Sequence, residues 1–366
     1  MNPEARLRPP WRRWLLAALR IEPTDDMHEP YRFLEEVRHR GRAVTVATWP
    51  STRYNIYWPN RVKRPVTLVA NHLALLVIAW RGLARGEAVI LREFTNGGLA
   101  SIALLLWPWR RRLLLNVNDN FSPAVGVIGR LARAVLLRLR FTFLLLDGDA
   151  VAARLEHTYG PLKLVTPYFA VPDRRPMRPP RPADRPFRVG FVGYFRRDKG
   201  GVDLLAAALR SIQRLPGVEV ALGYWNRGQA EQLPDDVRRA LVLCDTLRYP
   251  SYLAFLDSCD VVVLLATPAY ELRHSGVLVD CASRGTPVLC RDYPLLASQA
   301  LRPVPVGMTY GDIDELPTRV AMMRERHDAL VGQFDTYLHA RATTVVRQAL
   351  ERAWEALAAT DASPRR

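Results

Sequence analysis

The chain has 366 residues, 49% of them hydrophobic, and 52 Lys and Arg against 36 Asp and Glu, for a formal net charge of +16. That length and apolar fraction describe a globular protein with one or two buried cores, and the cation excess favours an anionic partner: nucleic acid, acidic lipid or phosphorylated substrate. Four cysteines (Cys244, Cys259, Cys281, Cys290) lie in the last third without CxxC spacing, which indicates neither a disulfide framework nor a zinc knuckle and makes a reducing cytosol the expected compartment.

Residues 14–21 are predicted to form a first strand, too short for a secretory apolar core, followed by a loop with Pro23, Asp25, Asp26 and His28. A helix over 31–39, with Phe33, Leu34 and Val37 on one side, ends at Gly41 before a strand at 43–47 expected to run parallel to the first. Strands at 64–70, 88–92, 113–117, 141–146 and 163–166 then alternate with helices at 73–84, 99–106, 128–139 and 150–159. Asp147-Gly148-Asp149 reads as a turn and helix cap. The apolar run 98–109 is short, holds Pro108 and meets Arg110, Arg111 and Arg112, so it reads as a buried helix at a basic edge, and no transmembrane helix is predicted. This alternation implies a parallel sheet covered on both faces.

Residues 172–186 hold six prolines and five arginines and read as a stiff exposed linker. A second series follows, with strands beginning at Val189, Val218, Leu241, Val261 and Val288 and helices over 316–357 expected to pack across both halves. The expected fold is α/β, two facing Rossmann-like parallel-sheet domains: 1–172, a linker at 173–187, 188–336, and 337–366 as crossover helix and tail. Ligands are expected at strand C-termini.

The stretch 189–205 carries the most local chemistry. A short apolar strand ends at Gly193, a basic loop holds Arg196, Arg197 and Lys199, and Gly200-Gly201 precede a helix. Free backbone N–H groups and a helix dipole there suit a phosphate, although such a loop is also an ordinary solvated turn. It is neither a Walker loop nor GxGxxG. Ser275-Gly276 offers a second helix N-terminus, or a plain N-cap.

These residues resemble the GT-B-fold glycosyltransferases, and among them the family-four-like retaining, nucleotide-sugar-dependent group. Gly193 with Lys199-Gly200 is similar to that group's G-R-x-x-x-x-K-G segment, with Tyr194 in place of its Arg. Residues 260–264 (DVVVL) resemble its ADVFVLP strand, and 275–288 (SGVLVDCASRGTPV) its G-x-x-x-x-E-A-x-A-x-G-x-P-V block. Gly41 to Val46 resembles GHEVTV, and 166–173 its IPNGVD segment. The resemblance implies a UDP- or GDP-linked sugar donor held by 188–336, an acceptor held by 1–172, and no bound metal or cofactor. Lys199 with Arg196 or Arg197 would clamp its diphosphate, aided by His274, Ser275 and Gly276. Asp280 would meet the ribose hydroxyls, a neighbouring arginine being the alternative partner. The group's first paired glutamate falls at Leu272, one residue from Glu271, which is the catalytic candidate beside Asp119. In Asn118-Asp119-Asn120 the carboxylate could orient an acceptor hydroxyl or serve a turn, with Asp25, Asp26 and His28 as competitors.

Arg130, Arg133, Arg138 and Arg140 fall on one side of the helix at 128–139, with Ile128, Leu131, Val135 and Leu139 opposite. Together with Trp107, Trp109, Arg110 to Arg112 and Pro10 to Trp14, they suggest a basic aromatic edge on anionic lipid, or simply a solvated face. The expected function is transfer of a sugar to a saccharide or lipid-linked acceptor in cell-surface polysaccharide or glycoconjugate synthesis, in the cytoplasm and peripheral on the inner face of the plasma membrane. The alternatives are a non-catalytic nucleotide-binding relative and a basic nucleic-acid-binding protein, the latter without any recognisable module.

Overall fold

The computed structural model describes residues 21–23, 31–49, 54–56, 60–117, 120–121, 126–176, 185–193, 199–224 and 227–360. The expected strand at 14–20, Asp25, Asp26, His28, Asn118, Asp119, Arg196, Arg197 and linker residues 177–184 lie outside them. The chain divides into two compact units: Met1–Asn120, Gly126–Leu144 and Glu355–Arg366 form one, and Phe121–Val125 with Leu145–Trp354 the other.

In chain order the first eight strands are β1 (Ile21–Pro23), β2 (Arg38–His39), β3 (Arg42–Ala47), β4 (Tyr54–Ile56), β5 (Ala88–Leu91), β6 (Leu113–Asn116), β7 (Thr142–Leu144) and β8 (Lys163–Val165). β1 and β4 pair with each other, and the other six build a sheet of order β2-β3-β5-β6-β7-β8, in which β3, β5, β6 and β7 run parallel and β2 is antiparallel to β3. Every residue of β5 and β6 is buried, as expected for strands covered on both faces. The crossovers from β3 to β5, β6 and β7 all step the same way across the sheet. Right-handed connections therefore put their helices, Asn60–Ala84, Asn96–Leu106 and Val127–Arg138, on one face. The His72 Nε2 accepts from the Thr95 N–H and its ring fills the space a side chain at Gly98 would need, which locks the first helix to the second. Asn96 Nδ2 donates to Gly129 O at 3.3 Å and joins the second to the third.

Four expectations are corrected in this unit. The helix at 31–39 is a 3-10 turn, Arg32–Glu36, followed by β2. Ile21–Pro23 pairs antiparallel with β4 and opens no parallel βαβ unit. Residues 64–70, rich in Val, Thr and Leu, are not a strand but the first half of the helix Asn60–Ala84, in which none of the seven is buried; the helix is anchored by its second half, through Leu75, Ala79 and Leu83. On the helix Val127–Arg138 the buried line runs through Ala132, Arg133 and Leu136, so neither expected face meets the core as a whole: Arg133 is 7% exposed and donates to Asn120 O, Arg130 and Arg138 stay exposed, and Ile128 is 80% exposed.

The second sheet contains β9 (Phe187–Val192), β10 (Val218–Tyr224), β11 (Val242–Asp245), β12 (Val261–Leu264), β13 (Val288–Arg291) and β14 (Gly307–Tyr310), all parallel, in the order β11-β10-β9-β12-β13-β14. Alternation along β9 divides its core: Phe187, Val189 and Phe191 pack with Leu205, Leu209 and Ile212, while Val192 packs with Phe255, Leu256 and Leu278. β14, with glycine and threonine among its four residues, has no expected counterpart. The strand order reverses between β9 and β12, and the carboxyl ends of these neighbours open a crevice there.

Two further features hold this unit together. Asp147 caps no helix; Gly148 is the N-cap of the helix Asp149–Tyr159, and the Asp147 carboxylate instead meets Arg341. The described start of the linker is exposed but tied, with Arg174 N–H donating to Ser283 O and Arg175 paired to Asp173 and Asp335. The last helix, Thr343–Thr360, passes from one unit into the other at Glu355, whose Oε1 accepts the Arg40 N–H at 2.6 Å within the first unit.

Candidate functional site

The crevice at the ends of β9 and β12 holds a small open pocket lined by Val192, Lys199, Leu264, Leu265, Ala266, Tyr270, Ser275 and Leu296. Strand β9 runs out at Gly193, whose φ of +112° is closed to most side chains. A Cβ on Gly193 would lie 3.5 Å from Lys199 Nζ and 3.8 Å from Val277 Cγ2, so the ammonium, the glycine and the first turn of the helix Gly276–Ser283 converge on one spot. Lys199 Nζ also stands 6.0 Å from the Tyr270 ring centre, on which Arg273 packs at 5.8 Å. Gly200, with φ +86°, then turns the chain into the helix Gly201–Ile212.

Ser275 is the N-cap of its helix: its Oγ accepts the Leu278 N–H, and its own N–H donates to Gln299 Oε1 at 3.0 Å. That N–H fixes the orientation of the buried Gln299 amide, whose main-chain oxygen is held in turn by the Tyr337 hydroxyl at 2.6 Å. The capping leaves the Gly276 and Val277 amides as donors of the first turn without a partner among the described residues. Gly276 is exposed, with nothing within 4 Å of where a side chain would stand, so an anion can reach those amides.

Lys199, Gly193, Ser275 and Gly276 are thus brought together. His274 follows a different course: Nε2 donates to Leu146 O at 2.5 Å, and the ring packs on Phe169. The carbonyl only accepts, so the proton sits on Nε2, and burial, the largest influence, lowers the ring's pKa and keeps it neutral. Glu271 forms an ion pair with Arg154 at 2.6 Å. Asp280 lies on the helix Gly276–Ser283 but does not line the pocket. It is 8% exposed and its Oδ2 accepts from Tyr252 OH at 3.0 Å. Burial raises its pKa to about 7, with the Tyr252 hydrogen bond and the Arg174 charge pulling the other way. The pocket residues Tyr270 and Leu296, and the supporting Gln299, carry no sequence signal that sets them apart from core. Asp119 and the two loop arginines lie outside the described residues. Among the described residues no three His, Cys, Asp or Glu side chains are placed to hold a metal ion.

In the first unit, the ends of β5 and β6 carry an asparagine lattice. Asn116 Nδ2 donates to Arg92 O, Asn120 Nδ2 to Phe94 O and Asn96 Oδ1, and Asn96 Nδ2 to Asn120 O. This lattice clamps the backbone on both sides of Asn118 and Asp119.

Two six-stranded, largely parallel sheets, each with its own helices, make this a GT-B fold. It superposes on Anabaena HepE solved with UDP-glucose at a TM-score of 0.57, with 14% identity over 92% of this chain and 98% of that one. The pneumococcal O-GlcNAc transferase GtfA, solved with UDP and GlcNAc, gives 0.53 at 12% identity, over 78% of this chain and 60% of that one. Sucrose-phosphate synthase from Thermosynechococcus elongatus gives 0.50 at 17% identity, over 84% and 79%. No protein-family model and no curated protein sequence matches the chain.

Proposed function

We propose that the protein is a glycosyltransferase whose second unit binds a nucleoside-diphosphate sugar, UDP- or GDP-linked, and whose first unit receives a saccharide or lipid-linked acceptor. One observation carries the reading: the pocket at the strand-order reversal joins a lysine ammonium to a capped helix whose first two amides remain open, which suits a diphosphate. The structural neighbours solved with UDP and with UDP-glucose support it. As the glycosidic bond to the donor breaks, negative charge grows on the departing diphosphate. Lys199 and the Gly276 and Val277 amides are fixed in advance to stabilise that charge, with Arg196 or Arg197 as further cations. The retaining course and a role in surface polysaccharide or glycoconjugate synthesis on the cytoplasmic side belong to the same proposal.

Lys199→Ala is expected to weaken UDP binding about 10- to 100-fold, the ~1.5–3 kcal/mol of a hydrogen bond to a charged group. Titration calorimetry with UDP and GDP measures it, and unchanged affinity removes the diphosphate from this loop. The Arg154–Glu271 ion pair favours a second reading, a nucleotide-binding protein without turnover, because it occupies a carboxylate the transfer would use. Release of UDP or GDP from a panel of donor sugars, with and without acceptors, separates the two.

A further inference from the structure

We propose that the helical face of the first unit docks on an anionic lipid bilayer, its apolar side chains entering the interface and its arginines meeting the phosphate headgroups. All the exposed large apolar side chains among the described residues, except Leu243, Leu247, Val331 and Val345, lie between Val66 and Val135. They fall on the three crossover helices and the turn Trp107–Arg112, which share one face of the sheet. On the helix Asn60–Ala84 one side, with Leu75, Ala79 and Leu83, is buried, while Val69, Leu73, Val77 and Trp80 on the other are bare. Leu104 is 72% exposed, and Ile128 and Leu131, 80% and 66% exposed, head the third helix. A soluble surface rarely leaves so much apolar area in one place without a partner.

Charge selects the partner. The three helices and the Trp107–Arg112 turn contain Lys and Arg but no Asp or Glu. Arg61, Arg64, Arg81, Arg111, Arg130 and Arg138 are exposed, and the Arg110 guanidinium stacks on Trp107 at 4.6 Å. Apolar side chains flanked by tryptophan and arginine match the layering of an acidic membrane surface. A second copy meeting this face about a twofold axis would set the same cations against each other.

The segment Lys63–Ala84, with a mean hydropathy of 1.6, is long and apolar enough to cross a membrane, but 39% of its apolar window is buried in the fold. Crossing would strip the cover from β3 and β5, because Gly82 packs against Thr45 and Val89. The helix therefore lies on the bilayer and does not span it. The arginine face at 128–139 is redrawn accordingly: Arg133 serves the core, and Ile128, Leu131 and Val135 enter the lipid. Joined to the transferase reading, on which this last step rests, the face points to a lipid-linked acceptor.

Vesicle co-sedimentation tests the face, using phosphatidylcholine with and without about 30% phosphatidylglycerol and a double variant, Ile128→Gln with Leu131→Gln. Both positions are exposed, so the variant keeps the wild-type melting curve. Each large apolar side chain moved out of water is worth about tenfold or more in partition. The variant is therefore expected to bind acidic vesicles at least about tenfold more weakly, while wild-type binding falls with added salt. UDP titration of both proteins is the separate readout of the transferase reading. Absence of wild-type binding to acidic vesicles, equal binding by the variant, or a wild-type dimer in sedimentation that the variant dissolves would each overturn the docking face, whatever the UDP result.

Discussion

Asp147→Ala is expected to lower stability by about 3–5 kcal/mol, because it strands a buried guanidinium. Asp147 and Arg341 have fully buried side chains, and their fork is bidentate, with Arg341 Nη2 to Asp147 Oδ1 at 2.7 Å and Nη1 to Oδ2 at 3.1 Å. The rest of the pair is also satisfied. Phe169 N–H and Ser298 Oγ donate to the carboxylate, while the guanidinium donates to Phe169 O, Ser298 O and Arg302 O and lies 4.5 Å from the Tyr168 ring centre. Without the carboxylate, Arg341 keeps three carbonyls but loses the only opposite charge it contacts among the described residues. Urea unfolding followed by circular dichroism measures the loss. Replacing both, Asp147→Leu with Arg341→Met, is expected to recover part of it, since two apolar side chains need no compensation. A single variant within about 1 kcal/mol of wild type would sink this account of the pair.

That pair shows what the sequence conceals. Asp147 and Arg341 are 194 positions apart, and Asp-Gly-Asp before a helix has the local pattern of a cap, so nothing nearby reveals the distant arginine. The sheets were easier to read. Strands such as β5, β6 and β12 are buried throughout and stand out as apolar runs between helical segments, and the order of turns gives the parallel crossovers. Local propensity misled at 64–70, which continues a helix whose buried contacts lie further along, at Leu75, Ala79 and Leu83. Amphipathicity misled more seriously at Val127–Arg138, where the buried line through Ala132, Arg133 and Leu136 falls between the two expected faces, and Arg133 turns inward to donate to Asn120 O. In the candidate site, Gly193, Lys199 and Ser275 were visible because glycine and N-cap chemistry is local. Tyr270, Leu296 and Gln299 were not, being residue types that any core contains. Glu271 could be placed near the helix by register alone, but its ion pair with Arg154 depends on another element.

Asp280→Asn is expected to stabilise the protein above neutral pH and to do so progressively less as pH falls. Burial raises the Asp280 carboxyl pKa from 3.8 to about 7, so between these values the folded chain holds a proton that the unfolded chain has released. Under proton linkage, wild-type stability then falls as pH rises from about 4 to 7 and levels off above it; the contribution lost amounts to roughly 3–4 kcal/mol. Asparagine does not titrate and its Oδ1 still accepts the Tyr252 hydroxyl, so the variant escapes the penalty. The gap between variant and wild-type melting temperatures should therefore be widest near pH 8 and close towards pH 4. Thermal melts across this range provide the measurement, and a gap independent of pH would show that Asp280 is ionised in the folded chain throughout. UDP titration of the same variant reads the other possible duty of this carboxylate. A fall in affinity without a change in the melting profile would assign Asp280 to the ribose hydroxyls, whereas unchanged affinity with the pH-dependent gain leaves it to the packing of Tyr252 against the helix Gly276–Ser283.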